Sequence, residues 1–493
     1  MSGQKPRGII SAQRRNGLRP PPFLSVLAIL ALVLSACSSA AATASPVAPS
    51  PAASSPAASS PIASQAAPSA AATAPAASSV PAPALTDQQI AALGPVTLTI
   101  WDDEVTGTSG PVVQAAITGF QQKYPNVTIN RTAMSFQDIL AKVKLGLSGP
   151  NPPDVFESNM GNSLLGPLVK AGLVTDLTPF SQAYGWDTRF SAAYLQGNSF
   201  SPEGKWGTGD LYGLGLTVDF VGVYYNKAKL QKLGIPVPVT LSDFTAALDK
   251  AKQAGEVPLM IGALSRNPAS HLSYIWWNAL VPKSALLDWS YQANSPNICS
   301  DGWVQGAATV QKLAESGYFV PGWAGTNWGD TVQQFIKGQG VFYPTGTWFG
   351  GDIGKGLGAN AGFFIPVGSE GAIATGFPSG PWSVSKGSKH PDLGAAFLNY
   401  MTDPSVAALL IQNGGVPAMN NDLTAPDPNS VMADELKVAK AVADNAGLIP
   451  YPDNATPTLI NVMAAATIEL YSGQKTPQQW CQAIQDEAAK FTP

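Results

Sequence analysis

From residue 96 onward, short runs of alternating β-favouring residues and longer runs of apolar residues at helical spacing take turns along the chain. Val96-Thr97-Leu98-Thr99-Ile100-Trp101 alternates and predicts a strand. Pro111 then opens a helix with Val112, Ala115, Ala116, Gly119 and Phe120 on its apolar face, and Tyr124-Pro125-Asn126 stops it. A strand at Val127-Thr128-Ile129, a helix over 136–147 ending at Gly149-Pro150, and a short strand over 153–157 follow. This order predicts a largely parallel sheet with helices on its faces. Ligands of such sheets sit beyond the carboxyl ends of the strands, which places Asp102, Asp103, Glu104, Asn159 and Met160 at a binding rim.

The middle of the chain continues in the same way. Leu211-Tyr212-Gly213-Leu214-Gly215-Leu216 leads through Asp219 into a strand over 222–227, and Ser242 reads as the N-cap of a helix over 244–252. Helices are expected over 271–280, 303–315 and 328–337, with a strand over 341–343; after 361–365 a loop rich in Gly and Pro reaches 382–384. The tail reads as five helices, 392–401, 405–412, 433–445, 457–471 and 477–491. No internal period suggests a solenoid.

The start of the chain has a different character. Lys5, Arg7, Arg14, Arg15 and Arg19 precede an apolar run over 23–34, too short for a permanent membrane span, and small residues follow. That is the layout of a secretory signal peptide, 1–36. Leu34-Ser35-Ala36-Cys37 also resembles the lipobox of bacterial lipoproteins, which implies a lipid on Cys37 as the first mature residue; an ordinary secreted protein with an incidental Cys is the competing reading. Residues 38–84 are almost entirely Ala, Ser and Pro and cannot bury a core, so 37–94 reads as a tether on the order of 50–150 Å long, with folded sequence beginning near Pro95.

Composition narrows the partners. The body of about 400 residues exceeds what one core usually serves, so two lobes are expected. Charged residues are 12% and the net charge is −4, with no long basic cluster, which argues against nucleic acid. After Thr86 no apolar run is long enough to span a bilayer. With Cys37 assigned to the lipid, Cys299 and Cys481 remain; a bridge and two isolated buried thiols both fit their spacing.

Catalytic signatures are scarce. With His271 and His390 the only histidines, no His-Glu-x-x-His zinc motif is possible, and neither a Cys-x-x-Cys pair nor a phosphate-binding loop is present; Gly350-Gly351-Asp352-Ile353-Gly354-Lys355 lacks the spacing. No metal or cofactor is expected. A glycoside hydrolase needs only two placed carboxylates, so that alternative stays open. Tryptophan is more informative, because its face packs against the C–H face of a sugar while its N–H stays free. Trp328, Trp348 and Trp382 lie at element ends and Trp276-Trp277 are adjacent, whereas Trp303 and Trp480 sit on helix patterns that look structural. An ordinary core position competes for each of them.

Three segments, Leu211-Tyr212-Gly213 with Tyr224-Tyr225-Asn226-Lys227, Phe335-Ile336-Lys337-Gly338-Gln339-Gly340-Val341-Phe342 with Gly346-Thr347-Trp348, and the run 385–398, together resemble the maltose-binding-like extracellular solute-binding proteins of bacterial ABC transporters. The resemblance implies an α/β, two-lobed periplasmic-binding-protein type II fold with a three-crossing hinge near 216–220, 376–382 and 421–425. Lobe 1 is then 95–217 with 382–422, and lobe 2 is 218–381 with 423–493; both Cys299 and Cys481 fall in lobe 2, where a bridge would not lock the hinge. It also implies a monomeric, non-enzymatic receptor on the outer face of the cytoplasmic membrane, which hands a carbohydrate to the permease subunits. Its ligand residues would be Asp102, Asp103, Glu104, Asn159, Met160, Asp219, Trp348 and Tyr274 or Trp277, with Trp328 and Trp382 added from their element-end positions. The C-terminal Trp of maltose binders is replaced here by Tyr451-Pro452-Asp453-Asn454, so the ligand is expected to differ from a maltodextrin, and a non-sugar solute on the same fold is the alternative.

Overall fold

Strand β1 (Val96–Asp102) forms as its alternation requires, with Leu98 and Ile100 fully buried, in the computed structural model, which describes residues 84–492 apart from 106, 266–268, 379 and 420–422. The expected leader 1–36, the lipid site Cys37, tether residues 37–83 and part of the crossing over 421–425 lie outside the described residues. β2 (Val127–Ala133) pairs parallel with β1 from Val96↔Val127 to Asp102↔Ala133, and β3 (Val155–Glu157) pairs parallel on its other side. The crossover helices Ser109–Lys123 and Phe136–Leu147 bury Val113, Ile117 and Phe120 in one core and Ile139, Val143 and Leu147 in another. A small hairpin, β4 (Ser199–Phe200) with β5 (Asp210–Leu211), lies between this part and the next.

The second sheet is built around β6 (Val218–Asn226), which pairs antiparallel with β7 (Phe342–Gly346), β8 (Ala361–Phe364) and β9 (Ala374–Pro378). The chain then returns to the first sheet, where β10 (Trp382–Val384) lies antiparallel on β3, and finally places β11 (Leu448–Ile449) parallel to β9. The two sheets are therefore ordered β10-β3-β1-β2 and β11-β9-β6-β7, with β8 on β6. Where the chain passes between them the strands are tied to each other: Leu214 bridges Trp382, Thr217 bridges Pro417, and Val218 N donates to Val416 O at 2.9 Å.

A tryptophan-rich core stands beside the second sheet. Trp277 lies 5.0 Å from Trp303 and 5.2 Å from Trp480 between ring centroids, and its Nε1 donates to Trp303 O. Cys299 and Cys481 are bridged at the edge of this core, joining the segment before helix Asp301–Glu315 to helix Pro477–Ala488.

Two local expectations change. The N-cap of helix Leu241–Gln253 is Thr240, not Ser242, because Thr240 and Asp243 form a reciprocal capping box. Ordered structure also starts before Pro95. Thr86 and Gln89 cap helix Asp87–Ala91, Ile90 is 2% exposed, and Asn126 Nδ2 donates to Ile90 O at 2.8 Å and Gly94 O at 3.1 Å. Asp87 adds an ion pair to Lys123 and a 2.6 Å bond from Tyr124 Oη. Ile90→Ala is expected to lower unfolding free energy by about 2 kcal/mol or more in urea melts, the usual result of emptying a buried aliphatic site; an unchanged midpoint would mean that this helix is not docked.

Candidate functional site

The carboxyl ends of β1 and β3 bring three acids together. Asp103, Glu104 and Glu157 place carboxylate oxygens within 4.8 Å of one another. Asp103 N donates to Glu157 Oε2 at 3.0 Å, and Glu104 N donates to Asp102 Oδ1 at 3.0 Å. Asp102 itself is fully buried and accepts both Arg131 Nε at 2.7 Å and Arg131 Nη2 at 2.6 Å. Arg131 Nη2 also bonds Glu104 O at 2.9 Å, so this bidentate pair fixes the β1 loop. Asp102 is a positioning group; Asp103, Glu104 and the previously uncounted Glu157 form the rim.

Burial raises all three rim acids above their ordinary values. For Glu104 and Glu157 the rise is large, with neighbouring carboxylates adding to it; Arg131 only partly opposes it at Glu104. Oxygens so close could also hold a hard divalent cation.

Facing this rim from the second sheet, Asp219 sits at the start of β6 and accepts Thr217 Oγ1 at 2.8 Å and Thr347 Oγ1 at 3.0 Å. Its field raises Glu104, so the carboxylates of the two sheets feel one another. Next to it runs a continuous aromatic wall. Trp328 and Trp348 are 5.3 Å apart edge to face, His271 is 5.4 Å from Trp348, Tyr274 is 6.0 Å from His271, and Tyr451 is 6.1 Å from Tyr274. His271 and Tyr274 share one face of helix Ala269–Leu280 at i, i+3 spacing. Trp348 lies in the turn Thr347–Phe349 after β7, and Tyr451 precedes the turn Pro452–Asn454. Asp453, two residues on from Tyr451, is raised to about 6, chiefly by burial.

The two sides touch directly. Asn159 Nδ2 donates to Asn454 Oδ1 at 3.1 Å and Asn162 Nδ2 donates to Ala455 O at 3.0 Å. At the other end Thr108 Oγ1 donates to Trp348 O at 3.2 Å and accepts from Gly351 N at 3.3 Å. Met160 is buried beside Asn159, and its carbonyl accepts Ser163 Oγ. Depressions elsewhere, of about 80 Å³ beside Asn278 and Glu370 and about 100 Å³ beside Asp87 and Tyr184, are well below the size of a sugar site.

Two of the expected wall residues lie elsewhere. Trp277 is fully buried in the Trp303–Trp480 core, three residues beyond Tyr274 and 5.6 Å from its ring, so it continues that face of helix Ala269–Leu280 into the lobe. Trp382 points into the core of the first sheet from β10, 1% exposed, packed with Val155 and Leu214. The residues not anticipated are Glu157, His271, Tyr451, Asp453, Asn454, Thr108 and Asn162. The strand-end rule that selected Asp103 and Glu104 also applies to Glu157, which closes β3.

The raised rim acids bind protons more readily when folded than when unfolded. They therefore favour the fold below the unfolded carboxylate range, about pH 4, and lose that contribution as pH rises through their folded values. Glu157→Gln removes one of them and relieves its neighbours. In ligand-free thermal melts the variant should gain on wild type as pH is raised from 5 to 8; a constant difference across that range would show that Glu157 is already ionised in the folded protein at pH 5 and is not raised.

Residues 115–439 match the family described as bacterial extracellular solute-binding protein. A probable sugar-binding periplasmic protein of Mesorhizobium japonicum is 30% identical over 187 residues, 37% of this chain and 42% of that one. A multiple sugar-binding protein of Streptococcus mutans is 25% identical over 241 residues, 47% and 53% of the two chains. The matched regions thus span about half the length of these relatives. Among solved structures, a chitin oligosaccharide binding protein superposes with TM-score 0.69 at 19% identity, covering 80% of this chain and 98% of that one. The raffinose complex of RafE superposes at 0.65 and 20%, covering 79% and 98%. The fold is accordingly the two-lobed, maltose-binding-like one, and the chain belongs to the bacterial extracellular solute-binding protein family.

Proposed function

We propose that this protein captures a carbohydrate between its two lobes and delivers it to an ABC importer, without chemistry on the ligand. The observation that carries the reading is the aromatic wall Trp328–Trp348–His271–Tyr274–Tyr451 standing opposite the carboxyl rim Asp103–Glu104–Glu157. Rings offer faces to the C–H side of a sugar, and the carboxylates and Asn159 offer fixed partners to its hydroxyls. The proposed ligand set is thus Asp103, Glu104, Glu157, Asn159, Met160, Asp219, Tyr274, Trp328, Trp348 and Tyr451, with Asp102 acting through the loop. The relatives named for sugars, and structural neighbours named for chitin oligosaccharide and raffinose, support the substrate class.

Lobe 1 is assigned to 95–217 with 382–422 and lobe 2 to 218–381 with 423–493, a division supported by the membership of the two sheets. The Asn159–Asn454, Asn162–Ala455 and Thr108–Trp348 contacts are those that closure makes and opening breaks, so ligand binding shifts the hinge equilibrium toward the closed state that a permease reads. The receptor is proposed to work as a monomer held at the membrane by lipid on Cys37, with 1–36 removed, which keeps it near its permease at high local concentration. The cluster of three rim acids favours a second reading, a cationic solute such as a polyamine.

A thermal-shift panel of mono- and oligosaccharides with polyamines tests this, since a ligand of the folded state raises Tm. A shift with at least one sugar is expected; shifts with polyamines alone would replace the substrate class. With that sugar, Trp348→Ala should cost about 1–3 kcal/mol of affinity by calorimetry, roughly 5- to 150-fold. An unchanged affinity would remove Trp348 from the wall.

A further inference from the structure

Two nitrogens in the aromatic wall are buried without a hydrogen-bond partner, His271 Nδ1 and Trp348 Nε1. The residues are neighbours, with ring centroids 5.4 Å apart and planes inclined at 64°. His271 is only 6% exposed, and its described ring neighbours are Trp328, Trp348 and Tyr274. Buried polar atoms are normally satisfied, and leaving one unpaired destabilises a protein appreciably. Two such atoms on neighbouring rings of the proposed aromatic wall call for partners that the protein itself does not supply.

We propose that His271 and Trp348 together form a hydroxyl-reading subsite, in which one ligand hydroxyl accepts from Trp348 Nε1–H and donates to His271 Nδ1. This rests on the carbohydrate reading above and adds to it a polar specificity contact made by a residue inside the aromatic wall. An indole nitrogen is a donor only, and a neutral imidazole offers one bare nitrogen as acceptor; a hydroxyl group can serve both at once. Burial holds His271 neutral by lowering its pKa to about 3, so the acceptor is present throughout the physiological range. Three aromatic neighbours leave the imidazole little freedom to turn, which fixes the direction in which the hydroxyl must point. A site built to bond a hydroxyl discriminates strongly against an analogue that lacks it, because the protein groups are then left unpaired.

The same geometry makes an unusual prediction about sign. His271→Phe keeps the ring and removes the unpaired nitrogen, so the ligand-free protein should melt at the same temperature or higher, while affinity for the ligand falls. Full-length wild type and His271→Phe would be compared by thermal melts without sugar and by calorimetry with whichever of diacetylchitobiose, xylotriose, raffinose and galactose binds wild type. A tenfold or greater loss of affinity with an undiminished ligand-free Tm is expected, and His271→Gln, which retains an acceptor, should recover part of the loss. Affinity within twofold of wild type overturns the subsite, as does a fall in both Tm and affinity for His271→Phe, which would mark His271 as a packing residue. A wild type that binds none of the four sugars overturns the carbohydrate reading and the subsite with it, whereas the variant results bear on the subsite alone.

Discussion

A strand buried on both faces must satisfy every backbone amide and carbonyl within its own sheet. Val218–Asn226 is such a strand: all of its residues after Val218 are buried, and it pairs with three antiparallel neighbours in turn. Its first residues are also where the chain leaves the first sheet, with Val218 bonded to Val416 and Thr217 bridged to Pro417. Asp219 is therefore held at the meeting of two sheets by backbone pairing as much as by its own bonds to Thr217 and Thr347. The wall and the rim both depend on that placement. Trp348 follows β7, whose last residue, Gly346, pairs with Val221 of the same strand. A Cβ at Gly346 would sit 1.9 Å from the Trp348 ring, so glycine there is what lets the indole fold back against its own strand.

The cleft places unusual demands on its acids. Asp102 is met by Arg131 with two hydrogen bonds in the fork geometry that suits a carboxylate. Asp103, Glu104 and Glu157 are different, since each is desolvated beside another carboxyl. Burying unpaired charge is costly, and that cost is what raises them. Strain of this kind is characteristic of sites that expect company. Ligand hydroxyls or a cation would relieve it.

Much of this was legible before the structure, and the exceptions have physical reasons. β1 and helix Phe136–Leu147 follow cleanly from their periodicity because one face of each is apolar and the other is not. Helix Ala269–Leu280 is buried through residues 269–278, so it has no polar face, and the pattern cannot say whether Trp277 or Tyr274 lines the cleft. β6 begins at Val218 although the sequence suggests 222, since Asp219 is a poor strand former until the crossing gives it partners. Helix Asp87–Ala91 was missed because it buries one residue, Ile90, at the end of a tract without hydrophobic pattern. Strand ends point to Asp103 and Glu104 but not, in the sequence reading, to Glu157, and nothing in the sequence points to His271, because burial and a missing partner are properties of three-dimensional packing.

The central claim is that carbohydrate binding brings the two sheets together. Leu145, 78% exposed on helix Phe136–Leu147, and Val239, 62% exposed beyond β6, are free positions for a pair of probes, one on each proposed lobe. A distance distribution between them, recorded with and without a sugar that raises Tm, addresses the claim directly. The account predicts that saturating sugar narrows the distribution and moves it to shorter distances. A distribution unchanged by a sugar that demonstrably binds would contradict it.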